Sequence, residues 1–198
     1  MTELLFLKDS YIKEFAANVL ECVEGGVVLD RTAFYIGGGG QPYDQGILST
    51  NETRYQVNRV SRKDSKVIHF IEGDQPAIGS NVHGLLDWDR RYRLMRTHTA
   101  LHILSGIVWR DFGAKVTGGD MQPGTARMDF ELEHISSSFS NEIYEKVNQE
   151  VKAGRPINVG FLSRDEAELE PDLIRTKINL LPSDITEIRT IDISGLDL

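Results

Sequence analysis

The stretch RTHTALHILSG, Arg96 to Gly106, sets two histidines, His98 and His102, four residues apart among apolar side chains. On a helix this spacing puts both imidazoles on one face, a turn apart, which is how a helix offers two nitrogens to one zinc ion. Two hydrogen-bonded histidines at the edge of a core would show the same spacing, so the pair alone leaves both readings open. No glutamate directly follows His98, which removes the zinc-protease signature. Immediately before the pair, DRRYRLMR gathers Arg90, Arg91, Arg93 and Arg96. A short charge run is ordinarily a solvated helix start. Cations in a first turn nevertheless oppose the helix dipole, so something else in the molecule or its partner has a use for them.

A second unusual stretch is AFYIGGGGQPYDQGIL, Ala33 to Leu48, with consecutive glycines at Gly37, Gly38, Gly39 and Gly40 followed by Gln41. Such a run neither favours a helix nor packs a strand, so the backbone turns sharply there or admits something close. It lacks the Lys-Ser or Lys-Thr of a phosphate loop and the spacing of a dinucleotide fingerprint. A tight turn between barrel strands and a ligand-facing loop both remain open, and Gln41, Tyr43 and Asp44 add polar groups that a turn does not require.

The elements that must carry these residues divide near Asp87 to Arg90. Before that point, Tyr11 to Cys22, Val27 to Asp30, Thr53 to Val60, Lys66 to Glu72 and Asn81 to Trp88 read as strands, with turns at EGG, SRKDS and EGDQP. Regular short strands with tight turns predict a small β-barrel over residues 1–89. Over 90–198 the pattern predicts an α/β domain with a mainly antiparallel sheet and packed helices, for an α+β chain overall. Its first helix is expected from about Arg91 to Phe112, with Asp89 near its N-cap and Gly113 just past its end. Taking Leu94 as zero on the wheel, Leu101, Ser105, Val108 and Phe112 fall within about 40°, His98 near 40° and His102 near 80°. The histidines therefore belong at the border of one buried stripe. A strand at Thr125 to Leu132, a helix at Ser138 to Ala153, a strand at INVGFL, a capping box at Ser163 to Glu166 and a last strand at Glu187 to Ile193 follow.

Composition bounds the rest. The chain of 198 residues, 40% hydrophobic, can bury a real core. No apolar run approaches the roughly 18 residues of a membrane span, and MTELLFLKDSY does not read as a secretory leader, so a cytoplasmic protein away from membranes is expected. The single Cys22 allows no internal disulfide and no cysteine-based zinc cluster. His69, His83 and His134 are scattered in or near strands and are expected to be structural or exposed. A net charge of -8 argues against indiscriminate nucleic-acid binding, which leaves a local basic patch at Arg91, Arg93 and Arg96 as the candidate. No signal for an oligomeric state is visible.

GGGGQPYDQG followed some fifty residues later by RTHTALHILSG closely resembles the editing region of alanyl-tRNA synthetases and the free-standing AlaX proteins, over nearly the whole chain. The size looks like the medium-length class. The resemblance implies a zinc-dependent hydrolase that deacylates tRNA(Ala) wrongly charged with serine, in some members with glycine. By position, His98 and His102 match the first two zinc ligands. Thr117, in AKVTGG, matches a threonine that reads the serine hydroxyl. Gly37 to Gly40 with Gln41 match a segment that approaches the editing pocket, and Arg96 could face the phosphate of the tRNA end. The family completes its zinc site with Cys-x-x-x-His just after the last strand, where this sequence reads TIDISGLDL, so either this member uses other ligands or none, or, as is expected, the missing ligands follow Leu198. A zinc with an open position polarises an ester carbonyl or activates water. A pocket that hydrogen-bonds a substrate hydroxyl rejects alanine by about 10⁴ or more, because alanine leaves Thr117 unpaired. Two other classes stay open: a non-catalytic tRNA-binding module or synthetase fragment, and a barrel-plus-α/β protein whose histidines are core residues.

Overall fold

The computed structural model describes residues 2–38, 40–132, 136–170, 173 and 186–197. In the first ninety residues the strands are β1 (Glu3–Leu4), β2 (Glu14–Val23), β3 (Gly26–Leu29), β4 (Arg31–Thr32), β5 (Gly46–Ser49), β6 (Arg54–Lys63), β7 (Lys66–Ile71) and β8 (Asn81–Leu86). Six of them close a barrel in the order β2-β3-β7-β6-β5-β8, every neighbouring pair antiparallel, while β1 and β4 form a short parallel pair. The expected small barrel is therefore present. Alternation builds its inside: along β2, Phe15, Ala17 and Val19 are buried between exposed Glu14, Ala16 and Asn18. Along β6 strict alternation fails. Val57 and Val60 lie three apart yet both are fully buried, because a bulge between Val57 and Arg59 resets the phase of the strand.

The turn expected over SRKDS is tighter than the sequence suggested. Only Asp64 and Ser65 form it, both with positive φ, and β6 runs on to Lys63 in register with Lys66. Two left-handed residues give the twist that suits a two-residue hairpin.

The chain continues through α1 (Trp88–Phe112), the paired strands β9 (Val116–Gln122) and β10 (Thr125–Phe130), α2 (Phe139–Ala153), β11 (Ile157–Ser163), α3 (Arg164–Glu168) and β12 (Glu187–Ile193). It separates into two compact units, Met1–Met95 with Gln122–Gly124, and Arg96–Met121 with Thr125–Leu198, so the division falls inside α1. Helix α1 starts earlier than expected. Asp87, not Asp89, caps it: its carboxylate accepts from the Arg90 amide at 3.1 Å and its carbonyl from the Arg91 amide at 3.0 Å. Helix α2 stops at Gly154 in the left-handed conformation. Ser163 and Glu166 make the reciprocal capping box that opens α3, and β11 and β12 pair antiparallel over seven residues.

The single-stripe expectation for α1 needs correction. Leu94, Ser105 and Val108 are buried, but Phe112 is exposed, and Ile103 and Ile107 on the opposite side are buried as well. They pack with Ile193 and Leu196 from the end of β12 and its following turn, and with Ile143 and Val147 of α2. The later half of the helix is thus covered on two sides. None of the described helices is long and apolar enough to cross a membrane.

A buried histidine and a buried threonine hydroxyl meet inside the first unit. His69 on β7 is fully buried; its Nε2 lies 2.8 Å from Thr32 Oγ1 and its Nδ1 3.3 Å from the Val27 carbonyl, while the Phe34 amide donates to Thr32 Oγ1. A neutral ring completes this chain: Nδ1–H donates to the carbonyl and Nε2 accepts the threonine hydroxyl. Burial pushes its pKa down to about 4, against a smaller upward pull from the Val27 carbonyl. The unfolded chain takes up this proton near pH 6.5 and the folded barrel refuses it until about pH 4. The stabilisation is thus complete above the higher value and is lost as pH falls through the window, by on the order of 3 kcal/mol. Urea titrations at pH 7, 5.5 and 4.5 should show the wild type losing this increment relative to His69→Gln. Parallel pH profiles of the two proteins would assign the acid sensitivity to other groups.

Candidate metal and substrate site

His98 and His102 project from successive turns of α1 with ring centroids 4.8 Å apart, and their Nε2 atoms face each other at 3.2 Å. Two nitrogens each about 2.0–2.1 Å from a zinc ion at the tetrahedral angle stand about 3.3–3.4 Å apart, so the pair already has the spacing of two donors to one ion. The outer nitrogen of His102 is also engaged: its Nδ1 lies 2.5 Å from Oδ2 of Asp197, whose side chain is 3% exposed. His98 is half-buried, and burial, with the His102 ring beside it, lowers its pKa to about 4. It is a neutral donor at physiological pH. Among the described residues no third His, Cys, Asp or Glu completes a group around a metal. These residues fit a zinc ion as one half of its ligand set.

Gly37, Gly38 and Gly40 lie at the end of a narrow hairpin in the first unit. Tyr35 and Asp44 bond twice, the Tyr35 amide to the Asp44 carboxylate at 2.7 Å and the Asp44 amide to the Tyr35 carbonyl at 3.0 Å. Gly38 and Gln41 exchange backbone bonds of 3.0 Å in each direction. Gly37, Gly38 and Gly40 all have positive φ, and a Cβ at Gly37 would sit 3.2 Å from the Tyr43 amide. Gly39 lies outside the described residues.

The arginine cluster divides by function. Arg91, expected to face phosphate, is instead buried at 4% exposure: its guanidinium forks onto the Asp44 carboxylate and donates to the carbonyls of Ser10 at 2.8 Å and Ala33 at 2.6 Å. Arg90 donates from Nε and a terminal nitrogen to the Tyr43 carbonyl at 3.3 and 3.1 Å. The cations that oppose the helix dipole are thus spent tying the first turns of α1 to the glycine hairpin. Arg93 and Arg96 remain exposed. Thr117 is exposed on β9, in the same unit as the histidines. His83 is an exposed neighbour of Glu14 on the barrel surface, and His134 lies outside the described residues.

A family model described as class II (A) tRNA synthetases matches residues 4–90. An alanyl-tRNA editing protein, AlaX-M, of Saccharolobus solfataricus is 38% identical over the whole of this chain and 84% of its own length. The chain belongs to the AlaX-M family of alanyl-tRNA editing proteins. The AlaX-M protein of Methanosarcina mazei is likewise 38% identical, over 100% of this chain and 82% of its own. An alanine–tRNA ligase of Pyrobaculum aerophilum is 37% identical over 97% of this chain but only 22% of the ligase, so the chain aligns with one segment of a much larger protein.

Two residues of the site carry no signal in the sequence. Asp197 lies 95 positions from His102, and an acid in GLDL carries no local sign that it turns back onto a helix. Gly106 is the device that lets it. A Cβ there would stand 2.8 Å from the Leu196 carbonyl, so only glycine admits the final turn this close to α1.

Arg91→Met should destabilise the first unit by about 3–5 kcal/mol, because it leaves the Asp44 carboxylate buried without its partner. Arg91→Lys should recover little, since an ammonium cannot fork onto a carboxylate and two carbonyls together. Urea denaturation would measure both, and a loss under about 1 kcal/mol would show that Asp44 is rescued by water.

Proposed function

We propose that this protein removes wrongly attached serine from tRNA(Ala) by hydrolysing the aminoacyl ester, with His98 and His102 as two ligands of a zinc ion. The facing Nε2 atoms at 3.2 Å are the observation that carries the metal assignment. Full-length similarity to proteins named alanyl-tRNA editing proteins supports the editing assignment. The remaining zinc ligands are assigned to groups outside the described residues, since those described supply two.

Each residue has a distinct part. A bound zinc would supply the Lewis acidity that ester hydrolysis at neutral pH requires. His98 and His102 hold their donors on a regular helix, so little conformational freedom is lost on binding. Thr117 offers a hydroxyl to the serine side chain; correctly attached alanine would leave that hydroxyl unpaired. Arg93 and Arg96 offer exposed cations for the phosphates of the acceptor end, acting locally in a chain of net charge -8. The hairpin of Gly37, Gly38, Gly40 and Gln41 is assigned to the substrate side on family resemblance, with its stem fixed by Arg90 and Arg91.

The direct test compares deacylation of Ser-tRNA(Ala) and Ala-tRNA(Ala) by the zinc-loaded protein. Serine should be released and alanine spared; equal rates would remove the selectivity, and no release the enzyme assignment. Thr117→Val keeps the shape and loses one hydrogen bond, so it should cost about 1 to 3 kcal/mol on the seryl ester and leave tRNA affinity nearly unchanged. His98→Ala or His102→Ala should abolish bound zinc, read by metal analysis, and hydrolysis together.

A further inference from the structure

The contact between His102 and Asp197 does more than tether the end of the described chain. The carboxylate is almost wholly removed from water and lies 2.5 Å from Nδ1 of an imidazole that is itself 46% exposed. A carboxylate accepts hydrogen bonds, so Nδ1 must carry the proton, and the lone pair of a neutral ring is then on Nε2, the atom facing His98. Free imidazole chooses between two tautomers and turns about two side-chain bonds. Here both freedoms are removed by one hydrogen bond.

The position of Asp197 is itself enforced. Its amide and carbonyl both bond to Ile193, at 3.1 and 2.7 Å, closing the turn that follows β12. Leu196 anchors that turn in the core formed with Ile103 and Ile107. Gly106, one helical turn beyond His102, admits the Leu196 carbonyl.

Resting on the zinc-editing reading above, we propose that Asp197 is a positioning residue: it holds His102 as the Nδ1–H tautomer, with the Nε2 lone pair turned toward His98, so that α1 presents a preformed pair of nitrogen donors to a divalent cation. Carboxylate partners of this kind orient a ligand imidazole and raise its basicity, and their loss typically weakens metal binding 10- to 100-fold.

The decisive measurement needs no metal. Nitrogen-15 NMR of the imidazoles in the metal-free full chain should show His102 as the Nδ1–H tautomer at pH 8, and Asp197→Ala should shift it toward the Nε2–H form usual for solvated histidine. Retention of the Nδ1–H form in the variant, or the Nε2–H form in the wild type, would overturn the proposal. Titration with Zn2+ and with Co2+, whose visible spectrum reports coordination, should show 10- to 100-fold weaker binding by Asp197→Ala. Deacylation by that variant should lose kcat while KM for the aminoacyl-tRNA stays, and equal metal affinity in both proteins would also count against the assignment. If the wild type takes up neither ion, the zinc reading fails while the tautomer result still judges Asp197. Should Asp197→Ala unfold, Asp197→Asn, which keeps the shape but lacks the charge, provides the same readouts, with metal affinity expected between the other two.

Discussion

Within the first unit, a buried arginine ties the start of α1 to the stem of the glycine hairpin. Arg91 converts the start of α1, the Ser10 and Ala33 carbonyls and the Asp44 carboxylate into one charge-assisted network. Removing both charges from water is expensive, and the fork geometry of guanidinium against carboxylate, with two further carbonyl acceptors, is what offsets that cost. The consequence is directional. Asp44 also receives the Tyr35 amide, so the stem of the glycine hairpin and the first turns of α1 cannot move independently. Glycines give the tip its positive-φ turns, and the ion pair denies the stem the same freedom.

The second unit uses close approach in place of a buried ion pair. Gly106 removes a side chain where the turn after β12 meets α1, and Ile103 and Ile107 flank it with branched apolar surface that packs on Ile193 and Leu196. Shape thereby brings a carboxylate to His102 without any sequence proximity. Position 106 has a helical environment in which glycine costs roughly 1 kcal/mol relative to alanine. That cost is consistent with a backbone contact that no larger residue permits.

What the sequence made legible follows from which forces are local. The capping box at Ser163 and Glu166, the stop at Gly154 and the last strand Glu187–Ile193 all appear as expected, since each depends on neighbours within a few residues. The histidine pair was legible for the same reason: i and i+4 on a helix face one another whatever surrounds them. Long-range facts were not. The phase of β6 depends on a bulge set by barrel closure, and the second buried side of α1 depends on residues some ninety positions away. The arginine cluster was legible as an anomaly against the helix dipole, but whether Arg91 faced phosphate or Asp44 depended on a partner 47 residues earlier. Asp197 had no sequence signal at all until the fold placed it beside a ring nitrogen.

These contacts show three ways of carrying a polar group into a protein interior, and the differences bear on the histidine site. Arg91 and Asp44 cancel each other's charge. His69 avoids charge altogether, staying neutral in a hydrogen-bonded chain with Thr32 and Val27. Asp197 is a desolvated carboxylate bonded to a ring that is nearly half exposed, so the interaction runs from the interior outward through His102. Negative charge behind an imidazole is best stabilised by positive charge in front of it, and the imidazole transmits that preference to its Nε2. His98, kept neutral by its burial, sets a second ring nitrogen 3.2 Å from the first. The buried acid behind His102 and the spacing of the two nitrogens are separate supports for the proposed cation between the rings, and each would lose part of its physical rationale without the other.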